Sequence, residues 1–262
     1  MPEHAIYWCV LLEKALSEYA VNPLLNIALA CGGMGYQRLS QPCLRTDVAR
    51  NKYVAAFLKV TADPEATLVM LDADHDHPMH IVQRLASHDR GVVGALAYRR
   101  SVPFDPCAMI RGADDQLHSI ATWSPDADLI PCTVVGTGAI AIKRWVFEKL
   151  DAEGTPFPYF QYFYPPYTTT FPTEDVYFGM ICDHAGIPHH VDVQCMTPHL
   201  TMGQIDGTSW SQWMAEHPDA FIDNTPDAPP VVDPKPVVPS PNGNGHGQDI
   251  MVPARIITKV NG

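Results

Sequence analysis

The chain has 262 residues, 46% of them hydrophobic, with a formal net charge of −12. Its length and apolar content suffice for one large domain with a substantial core. The acidic balance excludes a general electrostatic attraction to nucleic acid or anionic membrane, and no apolar run approaches the roughly 20 residues of a bilayer span.

The elements alternate along the chain. His4–Leu12 reads as a buried strand, or a strand running into a helix. Thr46 is placed as an N-cap, with Asp47 in the first turn of a helix through Lys59. Val48, Tyr53, Ala56, Phe57 and Val60 form its apolar face. Ala66–Leu71 is a continuous apolar run, as expected for a strand covered on both faces. Pro78 suits the first turn of a helix to about Ser87, and Gly91–Tyr98 is the next strand. Shorter strands follow at Cys107–Arg111 and Leu117–Trp123, then Thr133–Ile142 with a Gly-Thr-Gly interruption and a helix over Arg144–Leu150. Thr173 caps a helix of about Glu174–Ala185, Gly186 ends it, and Pro188–Gln194 is a last strand that opens on a surface pair, His189-His190.

This alternation predicts an α/β domain with a mostly parallel central sheet, its ligands beyond the carboxyl ends of the strands. The folded domain is assigned to residues 1–223. Residues 224–262 are dense in Pro and Gly and read as a flexible tail, with a short strand-like or docking segment at DIMVPARIITKV. The seven Cys form no C-x-x-C pair and lie mostly in apolar runs, which points to reduced, buried thiols and a cytoplasmic location. The first residues lack a basic, cleavable leader.

Four places carry chemistry. LVMLDADHDHP ends a buried strand in Asp72, Asp74 and Asp76. Grouped carboxylates there call for a cation or for solvent. Alternation points Asp72 and Asp74 the same way if the strand continues, and oxygen ligands suit Mg²⁺ or Mn²⁺. Glu174 and Asp175 open a helix, as favourable dipole partners or as a general base. His199 follows the last strand, as a metal ligand or a surface residue. Gly136 and Gly138 permit close backbone approach, to a sugar or within a bulged strand.

Read together, Ala49-Arg50-Asn51, Asp72-Ala73-Asp74, Val135-Gly136-Thr137-Gly138, Glu174-Asp175 and His199 follow an order that resembles the GT-A glycosyltransferases, most closely the family-2-like members. The resemblance spans about residues 45–200 and implies a single Rossmann-like GT-A domain. It implies that Asp72 faces the ribose or sugar of a nucleotide-sugar donor, and that Arg50, Asn51 and Gly138 lie near that donor. Asp74 and His199 would hold Mn²⁺ or Mg²⁺, with Asp76 an alternative carboxylate. Asp175 would be the base of an inverting transfer, with Glu174 the second choice. The expected activity is hexosyl transfer, a UDP-sugar being the favoured donor. The acceptor is a hydroxyl on a glycan, lipid-linked intermediate, protein or modified DNA base. The alternatives are a metal-dependent hydrolase or nucleotidyltransferase and a non-catalytic carbohydrate-binding protein. Arg99 and Arg100 are placed to assist phosphates or to form a solvated turn. Thr201–Trp213 is read as a lid, or as a helix packed through its Trp residues, and Pro156–Tyr167 as a wall of the acceptor site or a cover over the core.

Overall fold

Residues 3–11, 18–40, 45–163, 172–200 and 204–218 are described in the computed structural model. The apolar runs become strands: β1 (Ile6–Leu11), β2 (Gln37–Arg38), β3 (Thr67–Asp72), β4 (Val92–Leu96), β5 (Ala108–Arg111), β6 (Leu117–Ser119), β7 (Leu129–Cys132), β8 (Val134–Val135), β9 (Ala139–Lys143), β10 (His189–Met196), β11 (His199–Leu200) and β12 (Gln204–Ile205). The helices are α1 (Glu18–Gly33), α2 (Thr46–Val60), α3 (Ile81–Ser87), α4 (Arg144–Ala152), α5 (Glu174–His184) and α6 (Gly207–Glu216).

The central sheet has seven strands in the order β2-β1-β3-β9-β4-β10-β7. Strands β2, β1, β3, β4 and β10 run one way, while β9 and β7 run against them. The sheet is therefore mostly parallel. A smaller antiparallel sheet, β6-β5-β8, adjoins it, and β11 pairs with β12.

Successive side chains of the inner strands enter opposite layers. Tyr7, Cys9 and Leu11 of β1, with Leu68 and Met70 of β3, pack under α2, α4 and α5 through Phe57, Phe147 and Phe178. Trp8, Val10, Val69 and Leu71 pack under α1 and α3 through Leu24, Ile27, Ile81 and Leu85. Both faces are covered, which is why these strands read as unbroken apolar runs. At the end of α5, Gly186 takes a φ of 64°. Its N–H reaches Asp183 O at 3.0 Å and that of Ile187 reaches Cys182 O at 2.8 Å, a paired closure that needs the left-handed residue.

Several expectations are corrected. Arg45, not Thr46, is the N-cap of α2, and Thr46 is its first helical residue. Val48 and Val60 are exposed, and the buried face of α2 includes Asp47, Arg50 and Asn51. Arg50 and Asn51 turn inward because β3, the Gly-Thr-Gly crossing and the 159–160 segment supply partners, and Asp47 is paired with Arg45 at the start of the helix. Helix α3 starts at Ile81, whose N–H closes a turn on Pro78 O. His189 is fully buried rather than at the surface. Helix α1, which has Pro23 inside it, and strands β2 and β7 were not legible as elements. Trp210 packs into the core with α6, the packed-helix alternative for that stretch, while 201–203 lie outside the described residues. So do 164–171 of the aromatic segment and 219–262, which include the Pro/Gly-rich tail; Tyr159 and Phe160 are buried.

Val134-Val135 and Ala139–Lys143 lie in different sheets, so Gly136-Thr137-Gly138 is a crossing rather than a bulge. Gly94, at the centre of β4, accepts Val135 across this crossing: a Cβ on Gly94 would lie 2.4 Å from Val135 Cγ2. Gly94→Ala is expected to cost about 1–3 kcal/mol in urea denaturation through overpacking. Unchanged stability would contradict this packing.

Candidate functional site

The carboxyl ends of β3, β4 and β10 meet the Gly-Thr-Gly crossing and the start of α5. At their centre is Arg50, projected from α2 and 1% exposed. Its Nη2 donates to Asp72 Oδ1 at 2.9 Å and Oδ2 at 3.0 Å, its Nη1 to Thr137 O at 3.2 Å, and its Nε to Glu174 Oε1 at 3.4 Å. One guanidinium thus joins four of the sequence motifs. Burial works against the Arg50 charge, but Asp72 and Glu174 outweigh it and hold the guanidinium charged. Two carboxylates share this one cation, so burial pushes both the Asp72 and the Glu174 carboxyls up despite Arg50.

Asn51 has a different task from the one expected. Its amide nitrogen donates to Asp47 O and Phe160 O at 2.8 and 2.7 Å. Its oxygen accepts from the N–H groups of Tyr159 and Phe160 at 3.0 and 3.1 Å. Both amide hydrogens and both lone pairs are used, which leaves nothing for a nucleotide. Asn51 fixes the segment whose Phe160 ring lies 6.0 Å from the Arg50 guanidinium carbon.

Beyond β3 the chain turns at Ala73-Asp74, so strand alternation does not carry past Asp72. The segment is pinned by the chain after β10: Asp76 N donates to Pro198 O at 2.8 Å, Leu200 N to Asp74 O at 2.8 Å, and His75 forms a bridge with His199. The result places Asp74, His75 and His199 with ligand atoms all within 4.8 Å of one another. Asp76 is not in this group. His75, which strand alternation would have pointed away, takes its place.

The proton positions follow from the partners. Backbone carbonyls only accept, so His199 Nδ1 donates to Tyr98 O at 2.6 Å and His75 Nδ1 to Thr197 O at 3.1 Å. His77 Nε2 donates to Asp72 O at 2.8 Å, leaving its Nδ1 to accept from the Thr197 hydroxyl at 2.7 Å. Thr197 is fully buried. Burial lowers all three imidazoles, that of His77 to about 4, so they are neutral at pH 7. Among the described residues His75 and His199 therefore have Nε2 lone pairs without a hydrogen-bond donor, beside a carboxylate, the tautomer that metal ligation requires. The residues present fit a divalent cation. Two imidazoles and one carboxylate suit Mn²⁺ or another transition ion better than Mg²⁺, which prefers oxygen throughout.

Gly138 serves this cluster. A Cβ there would sit 2.3 Å from His75 Cε1, so the imidazole, not a donor sugar, fills the space the glycine leaves. A Cβ on Gly136 would meet Cys107 Cβ at 2.7 Å. Of the acidic pair on α5, Glu174 is buried against Arg50, while Asp175 is partly exposed. Asp175 Oδ1 accepts from the Thr173 hydroxyl and from Val176 N; its Oδ2 has no hydrogen-bond donor among the described residues.

No family profile matches the chain, and no curated protein does. Among solved structures it is similar to A197 from STIV, with 15% identity, a TM-score of 0.46, and coverage of 76% of this chain and 86% of that one. It is also similar to a glycosyltransferase involved in the glycosylation of the major capsid of PBCV-1, with 12% identity, a TM-score of 0.31, and coverage of 65% and 71%. At these values the functional reading rests on the residues of this chain.

Arg50→Met would leave Asp72 and Glu174 without their cation. The expected loss is about 3–5 kcal/mol near pH 7.5. Both carboxyls are raised in the folded state above the roughly 4 of an unfolded chain. The folded variant therefore binds protons that the unfolded chain does not, and its deficit against the parent should narrow as pH falls toward 5. A deficit that widens on acidification would contradict this.

Proposed function

We propose that this chain is a glycosyltransferase that moves a sugar, favoured as a hexose from a UDP-sugar, to an acceptor hydroxyl. The observation that carries the reading is the convergence on Arg50. Segments separated by up to 124 positions, each matching a motif of the GT-A resemblance, are tied to one side chain. The last motif, His199, joins Asp74 at the adjoining strand ends.

Asp74, His75 and His199 would hold a divalent cation, with Mn²⁺ favoured. Such an ion neutralises the charge that grows on a departing nucleotide diphosphate. Asp175 is the better-placed base. Among the described residues its Oδ2 has no hydrogen-bond donor, whereas Glu174 is committed to Arg50. In the proposed step the acceptor oxygen bonds to the anomeric carbon as the bond from that carbon to the diphosphate oxygen breaks. The acceptor proton passes to Asp175, and the anomeric configuration inverts. Asp72 and Glu174, held by Arg50, set where the donor end of the site begins. Among the described residues no helix is long and apolar enough to cross a membrane. The acceptor class stays that of a glycan, lipid-linked intermediate, protein or modified base.

A thermal-shift screen with Mn²⁺ and UDP-, GDP- and dTDP-sugars should stabilise the protein with one nucleotide class and lose that effect on chelation. Asp175→Asn should retain the shift while transfer falls about 10²–10⁴-fold. No stabilisation by any nucleotide, or full transfer by the variant, would count against the proposal. Donor hydrolysis that no acceptor diverts would favour the hydrolase alternative.

A further inference from the structure

Asp74 already has a cationic partner. Arg100 Nη1 lies 3.0 Å from Asp74 Oδ2, and both side chains are about half exposed. The neighbouring arginine behaves differently: Arg99 is paired at 3.1 Å with Asp105, which is buried. Arg99 is thus anchored, whereas among the described residues Arg100 is paired with the carboxylate that belongs to the Asp74–His75–His199 group. Its positive charge also bears on both imidazoles of that group, disfavouring added positive charge there. Tyr98, two residues before Arg100, supplies the carbonyl that orients His199. The arginine and the ligand cluster therefore share one short segment.

We propose that Arg100 and the divalent cation compete for Asp74, and that Arg100 moves from Asp74 to the donor diphosphate when the cation binds. This rests on the glycosyltransferase reading and goes beyond it by coupling the two binding events through one side chain. A single carboxylate cannot neutralise a guanidinium and a dication together, and the two cations repel at this range. Displaced, Arg100 faces the cation without the carboxylate that held it, and an anion bound to that cation would restore a partner. A nucleoside diphosphate bridged to the cation is such an anion, and a guanidinium recognises it through paired N–H donors. Cation alone then binds against Arg100, while cation with diphosphate binds with its help. By linkage, each raises the affinity of the other.

The test is isothermal titration of the full chain with Mn²⁺ alone and then with Mn²⁺ at saturating UDP. In the parent, UDP should raise Mn²⁺ affinity markedly. In Arg100→Ala, Mn²⁺ alone should bind about 3–10-fold tighter, because an exposed ion pair and its repulsion are lost. The enhancement by UDP should shrink. Arg100→Lys, which keeps the charge, should bind Mn²⁺ alone much as the parent does. A purely structural role for Arg100 would weaken Mn²⁺ binding in the Ala variant, and that result would overturn the exchange. Unchanged Mn²⁺ affinity and an unchanged UDP effect in Arg100→Ala would overturn it too, while leaving the metal site itself intact. No Mn²⁺ binding to any of the three proteins would overturn the exchange and the metal-site reading together.

Discussion

A guanidinium buried at the edge of a sheet must be answered by charge, and Arg50 answers to two carboxylates and a carbonyl from three different parts of the chain. The ion pairs are not justified by stability alone, since replacing such a group whole, cation and carboxylates together, by apolar residues is often as stable. Their consequence is geometric. With Arg50 fixed in α2, the end of β3, the Gly-Thr-Gly crossing and the first turn of α5 are each tied to the same guanidinium. Asn51, one residue on, fixes the Tyr159-Phe160 segment in the same way, with its amide fully used.

The ligand cluster is built onto this arrangement through Asp72. Its carboxylate pairs with Arg50, and its carbonyl accepts from His77. His77 accepts from the Thr197 hydroxyl, and the Thr197 carbonyl accepts from His75. A continuous hydrogen-bonded path therefore runs from the α2 guanidinium to the imidazole that faces Asp74. The carbonyls of Asp72 and Thr197, which can only accept, assign the protons of His77 Nε2 and His75 Nδ1, and the Thr197 hydroxyl then donates to His77 Nδ1. This path orients His75 and the Tyr98 carbonyl orients His199, each with its Nε2 lone pair unpaired among the described residues, as outer partners of metal-ligating histidines do.

Much of this was legible in the sequence, for physical reasons. Leu68 to Leu71 form an unbroken apolar run because each neighbour enters a different buried layer. Gly186 marks a helix end because the closure needs a positive φ. The motif order anticipated that Arg50, Asp72, Thr137 and Glu174 meet, and that Asp74 and His199 lie together beside them. What the sequence hid was conformational. Alternation favours Asp76 over His75 only if β3 continues, and it ends at Asp72. Gly138 looked like a place for a sugar, but the space is used by His75. The inward turn of Arg50 and Asn51 on α2 depends on partners far away in sequence, and that of Asp47 on Arg45, so helical periodicity found the buried Tyr53 and Phe57 but added Val48 and Val60, which are exposed. Thr197 gave no signal, since its importance lies in a hydroxyl and a carbonyl shared between two histidines.

As proposed, Asp74, His75 and His199 would form the divalent-cation centre of a nucleotide-sugar site. The most direct test is an anomalous difference map at the manganese edge from crystals grown with Mn²⁺ and UDP. The account predicts one strong peak within about 2.0–2.4 Å of a carboxylate oxygen of Asp74 and of Nε2 of both His75 and His199, with the UDP diphosphate completing its coordination. A peak on Asp76 without His75, or bound UDP with no peak at this cluster, would contradict it.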